Sequence, residues 1–172
     1  MKITWLGHSC FLLEDSKGIK LLTDPFDATL GYELYNGSPD IVTISHQHFD
    51  HNYTKELMGN YKIINEIGIS TVYDISIKGI HSYHDKNKGA KRGDNIIFKF
   101  TIDGYSVCHL GDLGHTLSND DLCAIGSIDI LFIPVGGNYT INGKEASQIT
   151  KKINPKIVIP MHYKTSRRSE EH

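Results

Sequence analysis

The sequence contains one dense run of metal-ligating side chains, HQHFDH at residues 46–51. Neutral imidazole is the commonest protein ligand for transition metals, and carboxylates complete many such sites. In an extended or tightly turned loop, residues two apart point the same way. His46 and His48 can therefore share one metal ion while Asp50 and His51 reach a second. The alternative is a solvated, histidine-rich loop that binds metal only weakly.

The run cannot complete such a site alone, because a zinc ion takes three or four protein ligands. Three further candidates each follow an apolar, strand-like segment of the sequence: His84, Asp112 and His162. Side chains just past strand ends can converge on one point. The pattern therefore predicts a metal site built from several strand ends.

Strand and turn signals describe the elements that must position these side chains. Short apolar or β-branched runs predict strands over residues 2–6, 11–14, 19–23, 40–45, 62–65, 71–77, 96–102, 105–110, 128–133 and 156–159. The first three are expected to form an antiparallel meander, and Asp103-Gly104 predicts a tight type I′ hairpin turn. Helices are predicted over 52–58 and 144–153, with a surface loop over 26–39.

Length and composition favour one globular domain. The chain has 172 residues, of which 39% are hydrophobic and 22% charged. Lys and Arg total 18 against 20 for Asp and Glu, so nucleic acid is not indicated as a partner. No stretch approaches the ~20 apolar residues that span a bilayer, and no signal peptide is evident, so no membrane partner and a cytoplasmic location are expected.

The cysteines at positions 10, 108 and 123 are predicted to be buried thiols, and Trp5 is predicted to pack in the core.

The order of motifs resembles that of the metallo-β-lactamase superfamily. HQHFDH matches the HxHxDH signature, and six further segments lie in order along nearly the whole chain: GHSCF (7–11), TDPF (23–26), SYHD (82–85), HLGDLGH (109–115), IPVGG (133–137) and IPMHY (159–163). They resemble the small single-domain branch that includes ascorbate-phosphate lactonase-like proteins and uncharacterised Zn-dependent hydrolases.

That resemblance implies an α/β (α+β) fold, a four-layer αββα sandwich with the site at one edge of two sheets. The domain is expected to span residues 1–166, followed by a frayed tail over 167–172. The chain ends ten residues after Met161-His162, whereas superfamily members commonly continue for another strand and helix. A trimmed C-terminal outer layer is therefore expected.

The resemblance also implies a ligand set for two divalent metal ions. His46, His48 and His84 would hold the first ion, and Asp50, His51 and His162 the second, with Asp112 bridging both. His84 is chosen over His81 because it matches the family's third motif; spacing favours neither. Imidazole and carboxylate ligands favour zinc, and manganese, iron or nickel stay open.

The implied reaction is hydrolysis by a hydroxide generated at the dinuclear site. Asp50 is the candidate catalytic residue, taking up the proton that is released as hydroxide attacks. His8, His109 and His115 are candidates for orienting the ligands or contacting substrate. Asp24 is expected either to orient a ligand or to form a turn. The expected substrate is a small, anionic, ester-like molecule such as a lactone or a phosphoester.

Two other functions use the same residues. Phosphodiester cleavage of nucleotides needs the same paired-ion chemistry. A non-catalytic metal-binding module is the second alternative, although a structural site would be closed and need only four ligands. A β-lactamase role is disfavoured because that activity is expected outside the cytoplasm. The sequence does not specify the oligomeric state.

Overall fold

The computed structural model describes residues 1–166 as two packed β-sheets with short helices. The first sheet has five strands in the spatial order β1 (Lys2–Gly7), β2 (Cys10–Glu14), β3 (Lys20–Thr23), β4 (Ile41–Thr43) and β5 (Lys62–Ile64). β1, β2 and β3 pair antiparallel, which confirms the predicted meander, and β3, β4 and β5 pair parallel.

The second sheet has six strands, in chain order β6 (Gly68–Val72), β7 (Ile75–Tyr83), β8 (Asp94–Ile102), β9 (Tyr105–His109), β10 (Ile130–Pro134) and β11 (Ile157–Met161). Their spatial order is β11-β10-β9-β8-β7-β6. β9, β10 and β11 pair parallel, whereas β6 to β9 form antiparallel hairpins. The β8–β9 turn is as predicted, because Asp103 and Gly104 adopt φ values of 50° and 77°.

Two helices cover the outer face of the second sheet. α1 (Asn119–Ile125) and α2 (Gly143–Ile153) each begin with a capping box, from Ser118 and Asn142 respectively. Ile125 of α1 and Ile149 of α2 pack on the outward side chains of β8, β9 and β10. The outer face of the first sheet is covered by loops and a one-turn 3₁₀ helix, Ala28–Leu30, within the predicted loop 26–39. No helix within residues 1–166 is long and apolar enough to cross a membrane.

The main core lies between the two sheets, where alternate residues of both point inward. Phe11 of β2 stacks on Phe132 of β10 with ring centroids 4.1 Å apart and an interplanar angle of 5°. Both faces of β10 are buried, which explains its continuous apolar sequence. This contact joins the sheets directly beneath the edge that carries the candidate site.

The structure corrects four expectations. Residues 52–58 form turns and irregular chain, with no helix. The predicted strand 71–77 is a hairpin, because Tyr73 and Asp74 take left-handed φ values of 49° and 65° and reverse the chain. Trp5 is 41% exposed, and Cys123 is exposed while the other two thiols are buried. The predicted tail 167–172 lies outside the described residues, and the domain bounds 1–166 stay a prediction.

We expect Phe132→Ala to lower the free energy of unfolding by about 3–5 kcal/mol, because it leaves a cavity between the sheets. Urea unfolding followed by circular dichroism measures this loss. The control is Ile69→Ala, since Ile69 is 74% exposed on the edge strand β6 and its loss should change stability by less than about 0.5 kcal/mol. Equal losses in both variants would contradict this packing.

Candidate metal centre

The candidate centre lies at one edge of the molecule, where strands that run in the same direction end. The residues that follow these ends are His8 after β1, Asp24 after β3, His46 after β4, His84 after β7, Asp112 after β9 and His162 after β11. All six side chains are buried. The loop that follows β4 adds His48, Asp50 and His51, so both sheets contribute to one cluster.

Three of these strand ends are held in an unfavourable backbone conformation. His8, Asp24 and His162 have φ values of 51°, 40° and 52°, and a left-handed residue other than glycine costs roughly 1–3 kcal/mol. The reversal turns each side chain back into the cluster. At His8, a hydrogen bond stabilises this conformation, because the Trp5 Nε1–H donates to the His8 carbonyl at 3.1 Å.

Three sets of side chains bring their ligand atoms within 4.8 Å of one another. One set, Asp24 with His46 and His51, shares its histidines with the other two, which form two separate groups. One group contains His46, His48 and His84. The other contains Asp50, His51, His162 and His8. This grouping parallels the two sets implied by the resemblance, with His8 as an additional member of the second set.

Asp112 lies between the two groups. Its Oδ2 is 3.1 Å from His84 Nε2 and 3.7 Å from His46 Nε2 on one side. On the other side it is 3.2 Å from His51 Nε2 and 3.1 Å from His162 Nε2. A carboxylate in this position can contact an ion in either group.

Several buried polar atoms of the cluster lack the partner that burial normally requires. His46 Nε2, His51 Nε2 and Asp112 Oδ1 make no hydrogen bond within residues 1–166. Leaving a buried polar atom unsatisfied costs about 1–3 kcal/mol. Divalent metal ions satisfy such atoms, so the donor set fits the metal that the sequence predicts.

A buried hydrogen-bond chain orients two of the imidazoles. Asp24 Oδ2 accepts from His51 Nδ1 at 2.9 Å and from the Ser45 hydroxyl at 2.6 Å. The Ser45 hydroxyl in turn lies 2.9 Å from His46 Nδ1. Because Ser45 donates to Asp24, its oxygen accepts from His46 Nδ1. Both imidazoles therefore carry a proton on Nδ1, which leaves Nε2 of each to face the cluster.

The pKa values reflect burial and these neighbours. Burial alone would raise the pKa of Asp112, but His162 and His51 hold that pKa well below its ordinary value. Burial and the nearby His51 lower the pKa of His46 well below its ordinary value. Burial and His162 lower the pKa of His8 to about 3. The last two imidazoles are therefore neutral at pH 7, which is the form that binds metal.

The remaining predicted histidines lie outside the clusters formed by the described residues. His109 donates from Nε2 to the Ser9 carbonyl at 2.8 Å and accepts at Nδ1 from a backbone amide. His115 accepts at Nε2 from the Tyr83 amide at 3.2 Å and donates from Nδ1 to a carbonyl. His81 pairs with Asp94 at the surface. The structure thus brings His84 into the cluster and leaves His81 outside it.

Two residues that position the centre, Ser45 and Asn95, were missed in the sequence. The buried amide of Asn95 accepts from the Asp112 N–H at 2.9 Å and donates to the Leu110 carbonyl at 3.0 Å. A Cβ atom on Gly111 would lie 2.3 Å from Asn95 Oδ1. The available signal was an amide that follows Asp94 and directly precedes the apolar residues 96–98 of β8.

The comparisons with known proteins agree with this geometry. A family model described as "Beta-lactamase superfamily domain" matches residues 2–162. The chain belongs to this superfamily. A UPF0173 protein from Pyrococcus furiosus is 33% identical over 182 residues, which cover 96% of this chain and 84% of that relative. A UPF0173 metal-dependent hydrolase from Methanosarcina mazei is 34% identical over 200 residues with the same coverage.

Solved structures place the fold in the same superfamily. The crystal structure of a metallo-β-lactamase superfamily protein from Thermotoga maritima has a TM-score of 0.81 and 45% sequence identity. The match covers 95% of this chain and 76% of that one. The superfamily resemblance and the two-sheet sandwich expected from the motifs are therefore confirmed.

We expect Gly114→Ala to displace His84 and weaken metal retention. A Cβ atom at position 114 would lie 2.3 Å from the carbonyl carbon of His84 and 2.4 Å from the Asp85 nitrogen, and neither backbone atom can move freely. Overpacking of this kind costs about 1–3 kcal/mol. Thermal unfolding and metal content per chain measure both effects.

The matched control is Gly143→Ala at the start of α2, where an added Cβ meets nothing within 4 Å. Alanine also favours helix over glycine, so this variant should equal or exceed the wild-type melting temperature. A Gly114→Ala protein with wild-type stability and metal content would show that the His84 backbone tolerates displacement.

Proposed function

We propose that this protein hydrolyses a small, anionic, ester-like substrate, a lactone or a phosphoester, using two divalent metal ions. The observation that carries the proposal is the pair of ligand groups on either side of Asp112, each able to surround one ion. The cytoplasmic location expected from the sequence is part of the same proposal.

At a coarser level, the chain is a metal-dependent hydrolase of its superfamily. Relatives from Methanosarcina mazei and Methanospirillum hungatei, 34% and 33% identical, are named metal-dependent hydrolases. The Thermotoga maritima protein is named as a candidate Zn-dependent hydrolase. Zinc is accordingly our proposed metal, and manganese, iron and nickel suit the same ligands.

When bound, paired divalent ions would lower the pKa of water enough to supply a hydroxide nucleophile and would polarise the substrate oxygens. His46, His48 and His84 would hold one ion, and Asp50, His51 and His162 the other, with Asp112 between them. His8 lies close enough to the second group to serve as a further ligand or to orient Asp50.

The chain's own groups would supply orientation and proton transfer. Asp24 fixes His51 directly and His46 through Ser45. Asp50 lies beside an open cleft of about 210 Å³ that also reaches His84 and Asp112. Its carboxylate oxygens are thus placed to take the proton that is released as the scissile bond is attacked.

Charge and cleft size support the proposed substrate class. Asp24, Asp50, Asp112 and the hydroxide would together balance the four positive charges of two divalent ions, so a loaded centre would not repel an anion, and its ions would bind anionic oxygens directly. The cleft beside Asp112 has room for a small molecule. Because the cluster opens onto a cleft, it differs from a closed structural site, which disfavours a non-catalytic module.

We expect the full chain purified without added metal to hold about two equivalents of a divalent ion per chain, measured by plasma mass spectrometry. His46→Ala and Asp112→Ala should lower the content toward one or none. The control is His81→Ala, which should retain the wild-type content because His81 pairs only with exposed Asp94 in the described chain. Chelation should abolish hydrolysis of lactones or phosphoesters, and adding the metal back should restore it.

A folded wild-type protein that takes up no metal after reconstitution with zinc, manganese or iron would contradict the ligand assignment. A metal-loaded protein that hydrolyses neither lactones nor phosphoesters would instead contradict the substrate class.

We expect Asp50→Asn to lower kcat by roughly 10²–10⁴-fold, the usual contribution of a positioned proton acceptor. The substitution keeps the shape of the side chain, so the melting temperature should stay close to that of the wild type. Metal content is measured on the same samples, since loss of one ion would also slow the reaction. A variant that holds both ions and reacts at the full rate would remove Asp50 from the mechanism.

A further inference from the structure

A cationic loop lies beside the metal centre, between β7 and β8. Residues 85–93, DKNKGAKRG, contain three lysines and one arginine against a single aspartate. That aspartate is turned inward: Asp85 Oδ1 accepts from the Asn87 and Gly89 amides at 2.6 and 3.1 Å. Its Oδ2 accepts from the Lys91 and Arg92 amides at 2.9 and 2.8 Å. The carboxylate thus fixes the backbone of the loop from inside.

Arg92 is the loop residue that the structure positions most closely. Its Cζ lies 3.7 Å from the centroid of the Tyr139 ring, and the side chain is half-buried. Within residues 1–166, no carboxylate lies within ion-pair distance of Arg92, whereas Lys86 of the same loop pairs with Glu145. Because the Tyr139 ring contacts the face of the guanidinium, the N–H groups at the guanidinium edge can still donate hydrogen bonds to a ligand.

The position of Arg92 links the metal ligands to the neighbouring polar surface. It lines the cleft of about 210 Å³ beside Asp112, and a second cleft of about 360 Å³ beside His46 and His48. It also lines a third, strongly polar cleft of about 370 Å³ that extends from His84. A substrate bound at the metal centre could therefore extend past this guanidinium whichever cleft it occupies.

Most other sources of positive potential in the polar cleft are already used. Lys91 also lines this cleft, but unlike Arg92 it lines neither of the other two. The first amides of α2 donate to the Asn142 side chain, and the Glu145 carboxylate accepts from the Asn142 amide. The Lys86 ammonium is paired with that same Glu145. Arg92 therefore offers an anion a cation that has no ion-pair partner in residues 1–166 and stands next to the metal ligands.

We propose that Arg92 binds a second anionic group of the substrate, a carboxylate or a phosphate, distinct from the ester bond that is hydrolysed. This inference rests on the proposed function, because it takes the metal centre as the place where that bond lies. The planar fork of a guanidinium matches two oxygens of either anion, and stacking on Tyr139 fixes its orientation before the substrate arrives. The proposed substrate therefore carries a carboxylate or phosphate group in addition to the ester bond that is hydrolysed.

Direct binding tests this role without requiring turnover. Isothermal titration of the full, metal-loaded chain compares two dicarboxylates, glutarate and adipate, with the monocarboxylates of equal carbon number, valerate and hexanoate. One carboxylate of each ligand can bind at the metal centre, and only the dicarboxylates have a second for Arg92. A parallel titration with 3-phosphonopropionate distinguishes phosphate-like from carboxylate preference.

We expect Arg92→Gln to raise the Kd of the dicarboxylates by about tenfold to hundredfold, the usual loss for a charge-assisted hydrogen bond. The Kd of the monocarboxylates should change less than about threefold. Arg92→Lys should be intermediate, because it keeps the charge but loses the fork. The matched control is Lys88→Gln, which removes one exposed positive charge from the same loop and should alter neither class of ligand.

If Arg92→Gln weakens the binding of both ligand classes equally, Arg92 has a structural role and the proposal is overturned. The proposal is also overturned if the wild-type protein binds dicarboxylates no more tightly than monocarboxylates. Should Arg92→Gln fail to fold, Tyr139→Leu provides the second variant. It removes the stacking surface but keeps the charge, and it should still weaken the dicarboxylates selectively. A selective effect in a protein that lacks hydrolytic activity would support anion binding by Arg92 while contradicting the proposed reaction.

Discussion

The burial of one carboxylate among four imidazoles governs this structure. Asp112 is 1% exposed, and its Oδ2 lies 3.1 to 3.7 Å from the Nε2 atoms of four histidines. A buried carboxylate is costly unless positive charge surrounds it, and bound divalent ions would supply that charge here. Because the four imidazoles come from both sheets, they meet this carboxylate only when the sheets pack with their strand ends together. The contact of Phe11 with Phe132 beneath the site secures that packing.

The backbone around the cluster takes unusual conformations that bring the strand-end side chains together. The left-handed residues His8, Asp24 and His162 are intrinsically unfavourable, and each is held by contacts on at least one side. Gly111 is needed where Asn95 approaches the turn before Asp112. Strain of this kind persists only when the surrounding structure over-determines it. The strained backbone lowers the stability of the fold, and the contacts that hold it also keep the ligand atoms in place.

The sequence predicts what depends on local patterns. Apolar alternation, the Asp103-Gly104 turn and the period of α2 are local signals, and the corresponding elements are present. The hairpin at Tyr73-Asp74 was missed because Tyr73 is not a turn-forming residue and no glycine follows Asp74, unlike Asp103. α1 is too short for a clear helical period. Spacing alone raised the two-ion interpretation of residues 46–51, but the roles of Ser45, Asn95 and Arg92 depend on contacts between distant segments, which no local pattern encodes.

The site divides into a part that holds metal ligands and a part that faces the substrate. The ligands sit on or just after strand ends that both sheets hold in place, and changing any of the four histidines beside Asp112 would disturb its surroundings. The polar cleft that extends from His84 is instead lined mostly by the loop after β7 and by residues 137–142 before α2. These loops can change without altering the sheets, because Asp85 and the α2 capping box satisfy their backbones locally. Selectivity for substrate would therefore be set by these two loops, while the reaction type is set by the strand ends.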